Sequence, residues 1–197
     1  NYDTATDFTY AAKNPGSWSN NLKVCYIDDF ADQTLGITTT NLAGLGATVG
    51  MGITAAVTGV LPGAGTTAVF TGYVKGIITG ATNDTGGASK LDVKIVSRVS
   101  SAGVETQIDY AEGDGFASFD TSDSVFFTSD AGGVTAAQTP TTVVDWYDQQ
   151  TLGLTNATIY WSTLAPKPGT SVYVSDRQGK NDQLHIAVVD DTGDVTG

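Results

Sequence analysis

Two clusters of aspartates are the most concentrated source of chemistry in the sequence. They share the spacing D-D-x-x-D and consist of Asp28, Asp29 and Asp32, and of Asp190, Asp191 and Asp194. Carboxylates at this spacing can hold Mg²⁺ or Ca²⁺, and on long helices they serve diphosphate-processing enzymes. Because the sequence predicts no long helix, we interpret both clusters as polar turns at strand ends, where aspartate side chains bond to the backbone. We predict no metal site and no cofactor.

The tripeptide Asp-Thr-Gly occurs twice, at 84–86 and 191–193. In aspartic peptidases two such carboxyl groups share one proton, and each follows a buried apolar strand. Val188 and Val189 supply that approach for the second copy, whereas a polar turn precedes the first. An aspartic peptidase that uses Asp191 is therefore the least favoured function.

Composition restricts the remaining classes. The 197 residues include 9 Lys+Arg and 21 Asp+Glu, a net charge of −12, which counts against nucleic acid and anionic membranes as partners. With one cysteine (Cys25) and one histidine (His185), the chain can form no internal disulfide and no zinc cage of Cys and His alone. The sequence offers no catalytic residues, and we expect no enzyme.

Apolar residues that alternate with polar ones predict a mainly β fold. No charged residue lies between Asp32 and Lys75, yet the alternation from Val49 to Val57 is typical of a strand and not of a membrane helix. The predicted strands are 22–27, 49–57, 70–78, 91–95, 104–110, 124–128, 158–164 and 184–189. Two short helices are predicted at 143–150, after Thr139-Pro140, and at 171–178, before Gly179.

Aromatic side chains leave a second function class open. A carbohydrate- or receptor-binding β-module would use exposed rings on its surface. The candidate rings are Trp18, Trp146, Trp161 and Tyr173.

Two stretches near the chain ends resemble the tail sheath proteins of contractile bacteriophages. Residues 12–24, which contain Pro15, Gly16, Trp18 and Asn20, resemble the family stretch K-x-P-G-x-W-G-N-x-L-x-V, with Ser19 at the family's second glycine. Residues 161–190 are similar to the stretch that precedes the sheath core in T-even-like and cyanobacterial-virus sheaths, and 145–150 also resembles that group. The second stretch contains Pro168, Gly169, Thr170 and Ser171.

The resemblance implies a structural function in the virion. Sheath subunits assemble in the host cytoplasm, polymerise around the tail tube, and contract to drive the tube through the host envelope. The implied partners are neighbouring sheath subunits and the tube, with no nucleic acid and no membrane insertion. This segment would form a peripheral, outward-facing part of the subunit, and the isolated segment would be mostly monomeric because its charge keeps copies apart.

The positions of the two stretches also predict a domain organisation. We expect a discontinuous base, 1–33 and 140–197, interrupted by an inserted β-barrel or sandwich, 34–139. Strands 22–27 and 184–189 should then share one small sheet whose buried face carries Leu22, Val24 and Tyr26 on one strand and Leu184, Ile186 and Val188 on the other. The lobe should bury Val49, Met51, Ile53, Leu91, Val93, Ile95 and Ile108. Because the sequence 195–197 is that of a return strand that stops at once, we also expect the chain to be part of a longer protein.

Overall fold

The computed structural model describes residues 21–60, 69–128 and 137–192, together with residues 13, 16 and 17. The fold is mainly β, as predicted. The chain divides into two compact units, one made of Asn1–Asp29 and Gln150–Gly197 and the other of Phe30–Gln149. The second unit begins four residues before the expected lobe, 34–139, and ends ten residues after it.

Strands of three to fourteen residues and single helical turns make up the regular structure of the described residues. The strands are β1 (Leu22–Ile27), β2 (Gln33–Ile37), β3 (Gly52–Val60), β4 (Val69–Thr82), β5 (Ser89–Ser100), β6 (Glu105–Gln107), β7 (Val125–Phe127), β8 (Thr142–Asp145) and β9 (His185–Asp190). A four-residue helix, α1, spans Val172–Ser175, and 3-10 turns occupy Ala43–Leu45, Tyr147–Gln149 and Trp161–Thr163.

The unit Phe30–Gln149 is organised by one seven-stranded antiparallel sheet. Its strand order is β7-β3-β4-β5-β2-β8, and β6 pairs with β5. The longest pair, β4 with β5, is a hairpin with register shifts at Lys75/Gly76 and Ile78/Gly80. A Cβ atom at Gly76 would lie 2.7 Å from Val93 Cγ1 and 2.9 Å from the Lys94 carbonyl oxygen. Glycine at this bulge therefore lets two strands approach closely.

The alternation of apolar residues places one side of this sheet in a core. Ile53, Leu91, Val93 and Ile95 are buried there as predicted, while Met51 and Ile108 are partly buried against the same cluster. Phe116, Phe119 and Leu42 join the core from outside the strands. The prediction for Val49 is wrong, because this residue lies in the turn before β3 and is 61% exposed.

A side chain that sequence patterns did not single out ties a loop to this unit. Gln33 is buried at the start of β2; its Nε2 donates to the Phe119 carbonyl oxygen (3.0 Å), and its Oε1 accepts from the Phe119 N–H (2.7 Å). The amide therefore pairs with the backbone as a neighbouring strand would. A lone glutamine without periodic neighbours gives no signal for such a contact.

Two helix predictions need correction. Thr142–Asp145 is strand β8, which pairs with β2, and only Tyr147–Gln149 forms a 3-10 turn. The error arose because strand β2 was not predicted; it supplies an edge to which β-branched Val143 and Val144 can pair. The second helix forms, but it is limited to Val172–Ser175.

One strand prediction is also wrong. Within 158–164 the backbone makes a single bridge, between Tyr160 and Thr151, and then turns through Trp161–Thr163. The indole of Trp161 is buried by this turn. Tertiary packing of one large aromatic side chain has overridden a local strand preference.

Candidate functional site

Strands β1 and β9 bring the two sheath-like stretches together in the unit Asn1–Asp29 with Gln150–Gly197. They form a two-stranded antiparallel sheet from Leu22 opposite Asp190 to Ile27 opposite His185. The predicted pairing of these strands is confirmed. Lys23 and Val24, which end the first stretch, lie opposite Val189 and Val188, which lie near the end of the second.

One face of the β1–β9 sheet is covered by the chain segment between Gln150 and Pro168. The Cys25 thiol donates to the Leu152 carbonyl oxygen (3.0 Å), and burial raises its pKa. The His185 Nε2 atom lies 2.8 Å from the Pro166 carbonyl oxygen, and its ring stacks on Trp161 at 6.5 Å between centroids. Polar contacts thus fasten both strands to their cover, and Cys25 and His185 have structural partners.

The opposite face of the same sheet is exposed, which corrects the predicted burial. Tyr26, Ile186 and Val188 are 63%, 62% and 64% exposed, although their alternation is typical of a buried face. Register places Tyr26 opposite Ile186 and Val24 opposite Val188, so these side chains share one face. We call Val24, Tyr26, Ile186 and Val188 the outer face.

The second sheath-like stretch contains a turn that is clamped just before β9. Gly169 N–H donates to Gln183 Oε1 (3.0 Å), and Gln183 N–H donates to the Gly169 carbonyl oxygen (3.2 Å). The Asp182 carboxylate accepts from the Ser171 N–H and from its hydroxyl, both at 2.7 Å, and these bonds lower the pKa of Asp182. Pro168 is fully buried, and Thr170 Oγ1 accepts from the Asn181 N–H. The motif residues therefore shape the approach to β9.

Lys23 and Asp191 form an ion pair at the other end of the sheet. Lys23 Nζ lies 2.7 Å from Asp191 Oδ2 and also donates to Thr155 Oγ1 and the Gly153 carbonyl oxygen. Thr155 donates its N–H and its hydroxyl to the two oxygens of Asp191, at 2.9 and 2.6 Å. The bond from Lys23, followed by those from Thr155, lowers the pKa of Asp191 to about 2. This network is that of a structural carboxylate, held ionised by fixed donors.

The three aspartates of the first cluster do not converge on one point. Asp29 pairs with Lys167 (3.0 Å), whereas Asp32 pairs with Lys94 (3.0 Å) and accepts from the Ile95 N–H (2.7 Å). Asp28 is exposed. Among the residues that the structure describes, no group of three or more His, Cys, Asp or Glu side chains could hold a metal ion. Asp194 of the second cluster lies outside those residues.

The other candidate residues are dispersed. Asp84 caps its own turn by accepting from the Gly86 N–H (2.8 Å). Trp146 and Trp161 are buried, so neither ring forms a surface platform, whereas Tyr173 is exposed with the Arg177 guanidinium 3.8 Å from its ring centre. Gly16 is exposed. The remaining motif residues Pro15, Trp18 and Asn20 lie outside the described part of the chain.

Comparisons with known proteins leave the family open. No family model matches the chain, and neither a curated protein nor a solved structure matches it significantly. In the described ranges no helix is both long enough and apolar enough to cross a membrane.

Proposed function

We propose that this chain is a structural segment of a contractile phage tail sheath subunit. In this role it belongs to a protein that polymerises around the tail tube and drives the tube into the host by contraction. Its partners are neighbouring sheath subunits and the tube. The unit Asn1–Asp29 with Gln150–Gly197 is the base that carries the family-like residues, and Phe30–Gln149 is a peripheral insertion.

The pairing of β1 with β9 carries the proposal. Two stretches that resemble the same family for independent sequence reasons lie far apart in the chain, and their strands pair residue by residue from Leu22 to Ile27. An insertion into a continuous core requires its two ends to meet in this way. The long motif-free stretch between them folds around its own hydrophobic cluster, which is what an inserted lobe needs.

The polar chemistry of the base supports a structural role in a second way. The Asp191 carboxylate and the Asp182 carboxylate are each taken up by fixed donors that lock the backbone around β9. Each carboxylate is thus used to hold the backbone in place, which favours a structural role.

Electron microscopy of the assembled protein tests the proposal. The complete reading frame that encodes this chain is expressed, and the product is searched for hollow helical tubes by negative staining. The matched variant is Asp182→Asn with Ser171→Ala, which loosens the turn before β9 and should lower the yield of tubes. Tubes in neither sample, with the protein folded and soluble, would contradict the sheath assignment.

A further inference from the structure

The outer face is an apolar surface without a cover in the described part of its unit. Three of its four side chains are more than half exposed, and Leu184 continues the same alternation at 51% exposed. None of these side chains is charged; Asp28 directly follows β1, and Asp190 is the last residue of β9. A two-stranded sheet is marginally stable when one face stays in water. An exposed apolar face of this kind gains free energy when a partner covers it.

The outer face is too small to form a stable interface by itself. Six residues per strand and two strands give a patch about 20 Å long and about 10 Å wide. A stable interface buries about 800 Å² on each partner, several times the area available here. Contact through this face alone is therefore weak, and it contributes substantially only where many copies repeat it, as in a polymer.

A second exposed patch lies on β4 in the other unit. Tyr73 and Ile77 point away from the core, at 49% and 44% exposed, and Lys75 lies between them on the same face. Lys75 forms a long ion pair with Glu105, at 3.4 Å, and its side chain is 47% exposed. This patch offers apolar surface with a cation, whereas the outer face offers apolar surface with flanking aspartates.

We infer that the outer face of one copy docks on the Tyr73–Ile77 patch of a second copy of this chain. Contact between two different surfaces is heterologous and so extends into an open array, whereas docking of the outer face on itself would close a dimer. The inference rests on the proposed function, which supplies the array, and on the apolar and charge complementarity of the two patches. The net charge of −12 makes two copies repel each other over long distances. Salt screens this long-range repulsion more than it screens charges in direct contact, so we expect high salt to strengthen the association.

The test uses the 197-residue chain itself, at concentrations up to about 1 mM, where weak association is measurable by NMR shift changes and sedimentation. We expect association that strengthens with salt, with shift changes at both patches. Ile186→Lys and Ile77→Lys should each weaken self-association at least tenfold. Val172→Lys, at an exposed valine in α1, adds the same charge in the same unit as Ile186 and should leave it unchanged.

A mixture of the Ile186→Lys and Ile77→Lys variants distinguishes docking between the two patches from pairing of the outer face with itself. If the contact is heterologous, Ile186→Lys and Ile77→Lys mixed together form a one-to-one dimer that does not grow, because each supplies one intact patch. Association lost in Ile186→Lys but unaffected by Ile77→Lys would mean that the outer face pairs with itself, and the inference would be wrong. A chain that stays monomeric at high salt also overturns it.

The outcome is independent of the tube experiment. Tubes that form equally well from a reading frame carrying Ile186→Lys would refute this contact while leaving the sheath assignment intact. Association of the isolated chain without any tubes from the complete reading frame would refute the sheath assignment and keep the contact.

Discussion

The ammonium group of Lys23 lies 2.7 Å from the carboxylate of Asp191, so an ion pair joins β1 to the residue that follows β9. Thr155 donates two further hydrogen bonds to the same carboxylate. One acidic group thus fixes three segments of the base: the first strand, the end of the last strand, and the loop that contains Thr155.

This ion pair predicts that the unit Asn1–Asp29 with Gln150–Gly197 loses stability in acid. The folded-state pKa of Asp191 is lowered to about 2 from its usual 3.8, so its contribution is complete above pH 3.8 and is lost as the pH falls toward 2. Urea midpoints of the wild-type chain should fall over this range. Asp191→Asn should lower the midpoint at pH 6 and flatten the acid dependence, whereas Asp176→Asn, at an exposed aspartate of the same unit, should match the wild type. An unchanged acid slope in Asp191→Asn would show that the pair does not act on stability.

The buried ion pair of the other unit should be costly to break. The Asp32 side chain is 3% exposed and is bonded to Lys94 and to the Ile95 N–H. Removing one member leaves the other poorly solvated, so Asp32→Ala should destabilise the unit Phe30–Gln149 by about 3 to 5 kcal/mol. Denaturant unfolding measures this loss, and exposed Asp148→Ala serves as the control. A loss below about 1 kcal/mol, typical of a surface pair, would contradict a stabilising role.

The side-chain amide of Gln33 should contribute as much to the free energy of unfolding as a hydrophobic core residue does. Gln33→Leu keeps the volume but leaves the buried N–H and carbonyl groups of Phe119 without their partner, which costs about 3 kcal/mol in total. The same change at exposed Gln107 in β6 should be nearly neutral. Hydrogen exchange of the Phe119 amide gives the local readout, and protection that persists in Gln33→Leu would contradict the assignment.

Ser171 should stabilise the chain in two ways, by capping α1 and by fixing the turn before β9 through Asp182. Its hydroxyl oxygen accepts from the Val174 N–H (3.3 Å) and donates its proton to Asp182. Ser171→Ala should cost about 1 kcal/mol in stability and speed hydrogen exchange between 171 and 183. Exposed Ser175→Ala is the matched control. Equal exchange in the two variants would show that the turn is held by other contacts.

Sequence patterns predicted secondary structure best where a segment follows a single regular alternation of apolar and polar residues. Strands β4 and β5 were predicted over 70–78 and 91–95, which are parts of their full lengths. The alternation was clear in β5, because its inward side chains meet a single core. Strand β2 was missed because Gln33–Ile37 is only five residues long and contains just two large apolar side chains. Without β2 as a partner, Val143 and Val144 were interpreted as one side of a helix. The prediction that the outer face is buried was wrong for a different reason. Alternation identifies the apolar side of a strand, but the contacts made by Cys25 and His185 determine which side is covered.

The candidate site was predictable only in its outline. The pairing of the chain ends followed from where the two sheath-like stretches lie. The partners of the aspartates did not, because each depends on residues distant in sequence, such as Thr155 for Asp191 and Lys94 for Asp32.

The most direct test of the sheath assignment is immunogold electron microscopy of contractile-tailed virus particles from the source of this sequence, with antibodies raised against the purified chain. We expect gold along the whole length of extended tails, and a shorter, denser labelled zone after contraction. Gold confined to the capsid, the fibres or the baseplate, or absent from the tails, would contradict it.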